Sequence, residues 1–234
     1  MKLGIMQPYV FPYIGYFQLI SAVDKFIIYD DVNYIKQGWI NRNKILLNGE
    51  SYLFTIPLAG ASSFKRIKDT RLNKRAYKDW VIKFYKTVDT VYCKAPYYNN
   101  VLSLLKNVFD KEVIDIGELA TNSIKTTLSY LDVHTEIDSS SGVYSNQRLS
   151  GKERVIDICL KEKAAFYINA QGGADLYDKE YFQSYNINLQ FIKPGTIVYK
   201  QFENEFVSSL SIIDVMMFNP VQGIKTMLKN YTLE

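Results

Sequence analysis

Two adjacent carboxylates, Asp30 and Asp31, follow an apolar segment early in the chain. Paired carboxylates can hold Mg²⁺ or act as a general base, and adjacent strand residues point to opposite faces, so one of the two is expected to face a site. In the same loop, Lys36 and Arg42 could bind a pyrophosphate, Arg42 in bidentate geometry. Trp39 could stack on a base or a sugar. A solvated loop with structural ion pairs is the alternative.

An earlier loop, Gln7 to Tyr16, is rich in aromatic residues, and two prolines and one glycine restrict its path. It looks like the loop of nucleotidyltransferases and class I synthetases in which a His-x-Gly-His signature stabilises the phosphates of ATP. Here Tyr13 and Tyr16 occupy the two histidine positions. Tyrosine can donate a hydrogen bond but has no positive charge near neutral pH, which argues against adenylyl transfer. A rigid aromatic turn against the sheet edge is the alternative.

The same loop supplies candidates for substrate contact. Tyr13 and Tyr16, together with Asn43, could orient a substrate or stabilise an oxyanion. Gln7 and Tyr9 are expected to contact the substrate as well.

Two later loops also follow apolar segments. The loop from Ser139 to Arg148 offers several hydroxyl groups before a helix start, where free N–H groups favour anions. The other contains Asn169, Gly172, Gly173 and Tyr177, and its glycines let the backbone approach a ligand closely. Because many turns contain two glycines, that pattern is a weak signal.

Basic residues are densest from Lys65 to Lys68 and continue through Arg71 to Arg75. The segment could form an edge that binds phosphate or pyrophosphate, or a solvated loop and helix face. The net charge of +4 is small for a nucleic-acid-binding protein, so no nucleic-acid partner is expected.

Several kinds of site find no support in the sequence. The two cysteines, Cys93 and Cys159, are far apart, and neither a disulfide framework, a metal cluster nor a Ser-His-Asp set can be discerned. Cys159 is expected on the buried face of an amphipathic helix, in the protein core, and His134 at the surface or at its boundary. No signal peptide is recognised, and no segment approaches the roughly 18 apolar residues that span a bilayer, so a cytoplasmic protein without membrane insertion is expected.

Apolar strand patterns alternate with helical patterns along the chain. Strands are expected at 2–6, 25–29, 52–57, 135–138, 166–169 and 187–192, and helices at 17–23, 75–92, 97–109, 115–131, 151–163, 177–185, 212–218 and 221–230. This order predicts an α/β fold with a Rossmann-like parallel sheet of the nucleotidyltransferase (HUP-like) type. The whole chain, 1–234, is expected to form one domain with a helical insert at about 75–131 and C-terminal helices.

Four separated motifs are distinctive in combination. They are Met6-Gln7-Pro8-Tyr9 with Phe11 to Tyr16, Asp30-Asp31-Val32 with Trp39 to Asn43, Tyr167-Ile168-Asn169 with Gly172-Gly173 and Leu176-Tyr177, and Leu210 to Asp214 with Phe218-Asn219. Taken together and in this order, they closely resemble the WbqC-like protein family. The resemblance spans nearly the whole chain.

The resemblance implies a bacterial protein associated with surface-polysaccharide (O-antigen) gene sets, which make nucleotide-linked sugars. It suggests a tailoring transferase that moves an N-acyl or aminoacyl group to a nucleotide-linked amino sugar, with Asp30 or Asp31 as the base that deprotonates the amine. The partners would be that sugar and an acyl or aminoacyl donor.

Two other functions stay open. One is an ATP-dependent, adenylate-forming enzyme, for which ATP with Mg²⁺ would be the cofactor. The other is a non-catalytic protein of the same pathway that binds nucleotide-sugars or scaffolds other enzymes. The sequence also leaves open whether the chain forms a homodimer and whether the helical insert covers the site.

Overall fold

The computed structural model describes residues 1–203 and 205–234 and places eight α-helices and eight strands among them. In chain order they are β1 (Lys2–Met6), α1 (Ile14–Ser21), β2 (Lys25–Ile28), β3 (Arg42–Leu47), β4 (Glu50–Thr55), α2 (Lys74–Tyr92), α3 (Tyr98–Phe109), α4 (Ile116–Tyr130), β5 (Glu136–Asp138), α5 (Gly151–Lys161), β6 (Phe166–Ala170), α6 (Lys179–Gln183), β7 (Asn188–Pro194), α7 (Ile212–Phe218), α8 (Val221–Leu228) and β8 (Tyr231–Leu233). The fold is therefore mixed α/β.

The central sheet has six strands in the order β5-β2-β1-β6-β7-β8. Every neighbouring pair is parallel except β7 with β8. The chain thus starts in the middle of the sheet, adds β2 and β5 on one side, and then adds β6 and β7 on the other. All five parallel strands present their carboxyl ends at the same edge, which brings their following loops together.

Helices cover both faces of the sheet. Leu3 and Ile5 of β1 belong to a buried cluster that includes Phe182 of α6 and side chains of α5. Phe26 and Ile168 point into the other cluster, which contains α1, α7 and α8. Burial on two sides explains why these strands are almost continuously apolar in sequence.

The predicted strand at 52–57 exists but belongs to a different sheet. Residues of β4 pair antiparallel with β3, a strand that was not predicted, and the two strands form a separate hairpin. The turn consists of Asn48 and Gly49, both with positive φ, which is the geometry that joins adjacent antiparallel strands. A two-residue turn joins antiparallel neighbours and is too short for the crossover that a parallel pair needs. It therefore pairs β4 with β3 in a hairpin.

Two further boundaries differ from the prediction. Helix α1 begins at Ile14 rather than at position 17, because Tyr13 is still extended and the chain turns into the helix directly after it. The short strand β8 was not predicted. It extends the sheet beyond β7, and its three residues pair with Ile192 to Pro194 of β7.

The three helices expected at 75–131 are present as α2, α3 and α4. Their buried side chains, such as Phe84, Leu105 and Ile124, belong to the same cluster that lies on the α1 face of the sheet. Within residues 1–203 and 205–234, no helix has the length and apolar character needed to cross a bilayer.

One buried peptide joins the sheet to its surroundings. Phe11 is fully buried and has φ +44°, a conformation that costs a bulky residue free energy. Its N–H donates to Ser123 Oγ of α4 at 2.9 Å, and its carbonyl accepts from Asn43 Nδ2 of β3 and from Ser211 Oγ before α7, both at 2.6 Å. Three separate segments therefore hold the loop that follows β1.

The contacts of Asn43 predict a role in stability. Replacing Asn43 with Ala removes the hydrogen bonds to Phe11 O and Val10 O and leaves buried carbonyl groups with fewer donors. We expect Asn43→Ala to lower the free energy of unfolding by about 1–3 kcal/mol in urea titration. Asn100→Ala, at an exposed site on α3, is the matched control and should change it little. Equal stabilities of the two variants would contradict the role assigned to Asn43.

Candidate functional site

The two carboxylates after β2 have different environments. Asp31 is completely buried and accepts two hydrogen bonds from Arg154 Nη2, each 2.6 Å long. It also accepts hydrogen bonds from Ser141 Oγ and from Gln147 Nε2, the latter at 3.0 Å. Burial alone would raise the pKa of Asp31, but the hydrogen bonds from Ser141, Arg154 and Gln147 outweigh it and lower the pKa below the usual value. Asp31 is thus ionised and fully occupied.

Arg154 connects this carboxylate to α5. Its Nε donates to Asn146 Oδ1 at 2.9 Å, and Asn146 Nδ2 in turn donates to Asp157 Oδ2 at 2.7 Å. The guanidinium group also lies 5.0 Å from the centre of the Tyr29 ring. The buried pair and its partners fix the end of β2 against α5.

Asp30 points elsewhere. Its Oδ1 accepts from Ser140 Oγ at 2.7 Å and from the Ser141 N–H at 3.1 Å. Burial raises the pKa of Asp30 above the ordinary carboxyl value, although the Ser140 hydrogen bond and the positive charge of Lys68 oppose the rise. Asp30 is therefore the carboxylate of the pair that is suited to take up a proton.

Asp30 lines a polar cleft of about 240 Å³ beside the carboxyl ends of β2 and β5. Ser139 follows β5. Lys68 belongs to a short 3-10 turn, and the backbone N–H of Lys68 donates to Asp30 O at 3.1 Å. The opposite wall comes from α4 and the residue before it. This wall consists of Asp115, Gly117, Glu118, Thr121, Asn122 and Lys125. Helix α4 therefore covers this part of the sheet edge.

Close packing at Gly117 brings α4 against the 3-10 turn. A β-carbon built on Gly117 would lie 3.2 Å from Lys68 Cα and 3.2 Å from Asp115 Oδ1, tighter than most side chains allow. Asp115 caps α4 by accepting from the Glu118 N–H at 2.9 Å, and burial raises the pKa of Asp115. The cleft is narrow at this end.

The cleft combines positive and negative groups. Lys125 Nζ hydrogen-bonds Ser139 Oγ, and Lys68 is close enough to Asp30 to affect its pKa. Two ammonium groups can bind an anion such as a phosphate, while the three carboxyl side chains of Asp30, Asp115 and Glu118 can accept protons or hydrogen bonds from a ligand. The arrangement suits a small, polar molecule that carries both an anionic group and a hydrogen-bond donor such as an amine.

The aromatic residues of the first loop do not line this cleft. Tyr16 is buried, and its hydroxyl donates to Gln7 O at 3.0 Å while its ring lies 5.6 Å from that of Tyr9. Tyr13 is 41% exposed, packs over Gly15 and lines a different cavity, about 400 Å³ in volume, near the end of β7. That cavity is bounded mainly by apolar side chains of the segment that precedes α7.

The candidates after β6 are also outside the cleft lining. Asn169 is buried and its Oδ1 accepts from the Ala170 N–H at 2.8 Å, while its Nδ2 lies beneath Gly173. Gly172 is exposed. Tyr177 packs edge-on against neighbouring aromatic rings of the α5 and α6 cluster. Asn43 holds the Phe11 peptide, as described above.

Lys36, Trp39 and Arg42 lie on the outer surface near the hairpin. Arg42 Nε donates to Gly38 O at 2.9 Å, and its guanidinium lies 5.6 Å from the centre of the Trp39 ring. None of the three lines the cleft. Their expected role in binding a diphosphate stays a prediction.

Sequence reasoning missed several residues of the cleft. Asp115 and Lys125 belong to a segment that was interpreted only as an amphipathic helix, because its apolar residues gave the stronger pattern. Arg154, which lies outside the cleft and binds Asp31, was missed for the same reason. Two signals were available. The basic segment, expected to form either an anion-binding edge or a solvated loop, contributes Lys68, and the loop from Ser139 to Arg148, expected to favour anions at a helix start, contributes Ser139.

Comparison with known proteins gives a family. The model of the WbqC-like protein family matches residues 7–226. The chain is also similar to the uncharacterized protein Rv1507c of Mycobacterium tuberculosis (strain ATCC 25618 / H37Rv), with 28% identity over 222 residues that cover 93% of each chain. No solved structure matches the chain.

The buried pair predicts a large effect of removing one partner. Arg154→Met leaves Asp31 as an unpaired buried charge, so we expect a loss of about 3–5 kcal/mol of stability in urea titration. The double variant Asp31→Leu/Arg154→Met should lose clearly less, because no charge is left buried. Lys193→Met, which removes an exposed ion pair with Glu234 away from this network, is the control and should cost under about 1 kcal/mol. Similar losses in the single and double variants would contradict this account.

The same pair predicts acid sensitivity. Because the pKa of Asp31 is lower in the folded state, its contribution to stability is present above the unfolded value near 3.8 and is lost as the pH falls through the folded value. Wild type should therefore lose more stability below about pH 4 than the double variant does, as measured by urea titration across pH. Parallel pH profiles would show that the pair does not contribute.

Proposed function

This chain belongs to the WbqC-like protein family, and from that premise we propose that it is a tailoring transferase of bacterial surface-polysaccharide biosynthesis. In this proposal it moves an N-acyl or aminoacyl group onto the amine of a nucleotide-linked sugar. The observation that carries the proposal is the polar cleft, in which Asp30 with a raised pKa lies close to Lys68. A base next to a cation is the combination that such a transfer requires.

The position of the cleft supports a ligand site. Counted among themselves, the five parallel strands follow the order 3-2-1-4-5, which is the order of Rossmann-like sheets. We interpret the fold as Rossmann-like on this basis. In such sheets ligands bind beyond the carboxyl ends of the strands, typically where the strand order reverses, which here is between β1 and β6. Asp30 and Ser139 lie at the same edge of the sheet, after the neighbouring strands β2 and β5.

The chemistry assigned to the cleft needs one proton transfer. The sugar amine attacks the acyl carbonyl carbon, a C–N bond forms, and the donor's leaving group departs. Asp30 accepts the proton that the amine nitrogen loses. The raised pKa of the Asp30 carboxyl group is closer to the pKa of the sugar amine than an ordinary carboxyl pKa is, and this favours the proton transfer. Lys68 and Lys125 bind the anionic part of the nucleotide-linked sugar.

The surroundings of Asp30 favour it over Asp31 as the base. Asp31 is occupied by Arg154, Ser141 and Gln147, and its lowered pKa makes it a weak proton acceptor. Tyr16 has its hydroxyl bonded to Gln7 O inside the core, so it is poorly placed to hold the phosphates of ATP. The adenylate-forming alternative is therefore less well supported than acyl transfer.

Binding is tested first, by thermal shift and calorimetry with UDP- and dTDP-linked amino sugars, with and without Mg²⁺. A ligand that binds only the folded state raises the melting temperature. The double variant Lys68→Ala/Lys125→Ala should weaken binding at least about tenfold, since each lysine makes a charge-assisted contact. Lys111→Ala, at an exposed site away from the cleft, is the control. If wild type and the double variant bound the sugar with equal affinity, the ligand would not bind in this cleft.

Turnover is tested with Asp30→Asn, which keeps the size of the side chain and removes the base. With acyl thioesters, or amino acids plus ATP and Mg²⁺, as donors, we expect kcat to fall about 10²–10⁴-fold while sugar affinity is retained. For wild type, kcat/KM should rise with pH through a pKa above the ordinary carboxyl range, because Asp30 must be ionised. Product is followed by mass spectrometry.

The outcomes separate the alternatives. Sugar binding without product from any donor would favour the non-catalytic binding protein. A thermal shift with ATP and Mg²⁺ alone would favour adenylate formation. An Asp30→Asn variant with unchanged kcat would contradict the assignment of the base.

A further inference from the structure

The positive charge of this protein is concentrated in one segment. Residues 32–68 contain six basic side chains and one acidic side chain, Glu50. The rest of the chain has 22 basic and 23 acidic residues, against 28 and 24 in the whole chain. The entire positive excess therefore belongs to the hairpin and the loops on either side of it.

The structure joins these loops into one surface. The Tyr34 N–H donates to Lys65 O at 2.8 Å, and Asn33 pairs with Arg66, so the loop after β2 lies beside the loop that precedes the 3-10 turn. Of the six basic residues, Lys68 lines the cleft. The other five are what we call the basic surface: Lys36, Lys65 and Arg66 on the two joined loops, with Arg42 and Lys44 beside Trp39 of the first loop.

Large apolar side chains project from the same surface. Phe64 is 93% exposed, next to Lys65, and Ile35 is 52% exposed, next to Lys36. Trp39 is 43% exposed. Folded proteins rarely leave several large apolar side chains together in water, and such patches mark binding surfaces. Here each apolar side chain has a basic neighbour.

We propose that the basic surface docks on a lipid bilayer that contains anionic headgroups, with Phe64 and Ile35 entering the interfacial region. Basic side chains are attracted to anionic lipids, and aromatic and aliphatic side chains are stabilised at the boundary between headgroups and acyl chains. This is a peripheral contact, separate from the catalytic proposal, and neither depends on the other.

The geometry favours a bilayer over the two other partners that such a surface could take. Arg42 and Lys44 lie 5.6 and 5.7 Å from the Trp39 ring centre, so a nucleic-acid base that stacks on this ring would compete with two cation–π contacts. A second copy of the chain would bring the same positive charges against each other across a symmetric interface, which is unfavourable. An anionic bilayer satisfies both the charges and the exposed Phe64.

The test is flotation of the full chain with vesicles of phosphatidylcholine alone and of phosphatidylcholine mixed with phosphatidylglycerol. We expect binding only to the anionic vesicles and weaker binding as salt is raised. Phe64→Ser should weaken binding about tenfold through the loss of apolar burial. Lys36→Glu/Lys65→Glu should weaken it by about five-fold or more for each charge removed.

Matched control variants distinguish binding through this surface from non-specific adsorption of the protein to vesicles. Leu176→Ser removes another exposed apolar side chain, and Lys111→Glu reverses another exposed charge. Both should bind vesicles as wild type does, and all variants should melt at the wild-type temperature because the substituted side chains are exposed.

Three results would overturn the proposal. The first is equal flotation of wild type with both kinds of vesicle, or none with either. The second is binding to a single-stranded oligonucleotide, without vesicle binding, that Lys36→Glu/Lys65→Glu abolishes. The third is a dimer in light scattering that Phe64→Ser converts to a monomer.

Discussion

A buried ion pair decides which carboxylate of this protein is available for chemistry. Arg154 takes both oxygens of Asp31, and Ser141 hydrogen-bonds Asp31 through its hydroxyl and Asp30 through its N–H. An unpaired charge at such a site would be strongly unfavourable, so the pair is formed in the folded state and the ends of β2 and β5 and the start of α5 are fixed together. Asp30 is left outside this pair and lines the cleft, with Ser140 and the Ser141 N–H donating to its Oδ1. The geometry of the site thus follows from an interaction outside it.

The buried peptide of Phe11, in the loop after β1, is a second constraint on the structure. The Phe11 peptide receives hydrogen bonds from Asn43 and Ser211 and donates to Ser123, so the hairpin, α4 and the start of α7 share one attachment point. The same helix α4 that is anchored here forms a wall of the cleft. The position of that wall relative to the sheet therefore depends on a residue that never contacts the cleft. Stability and site geometry are coupled in this molecule.

Sequence patterns predicted what local physics controls. The strands of the central sheet are apolar because both faces are covered, and Asp30 and Asp31 were correctly placed after β2. The choice between those two carboxylates could not be predicted, because it is made by Arg154, 123 positions further along the chain. The hairpin was missed for a related reason. The sequence from Arg42 to Leu47 contains polar residues typical of a loop, and only pairing with β4 makes it a strand. The substrate contacts expected of Tyr13 and Asn169 remain predictions.

The glycine at position 117 has a consequence for the dimensions of the cleft. Helix α4 packs so closely against the 3-10 turn there that a methyl group would displace its neighbours by a few tenths of an ångström, and Lys125 lies eight residues further along the same helix. An α-helix rises about 1.5 Å per residue, so the backbone of Lys125 lies roughly 12 Å along the helix axis from Gly117 and two residues beyond Ser123, which the Phe11 N–H contacts. Because Ser123 is held, a shift of a few tenths of an ångström at Gly117 would change the width of the cleft mainly at the Gly117 end. Relatives that carry a bulkier residue at this position would be expected to accept ligands of a different size without any change in the groups that touch them.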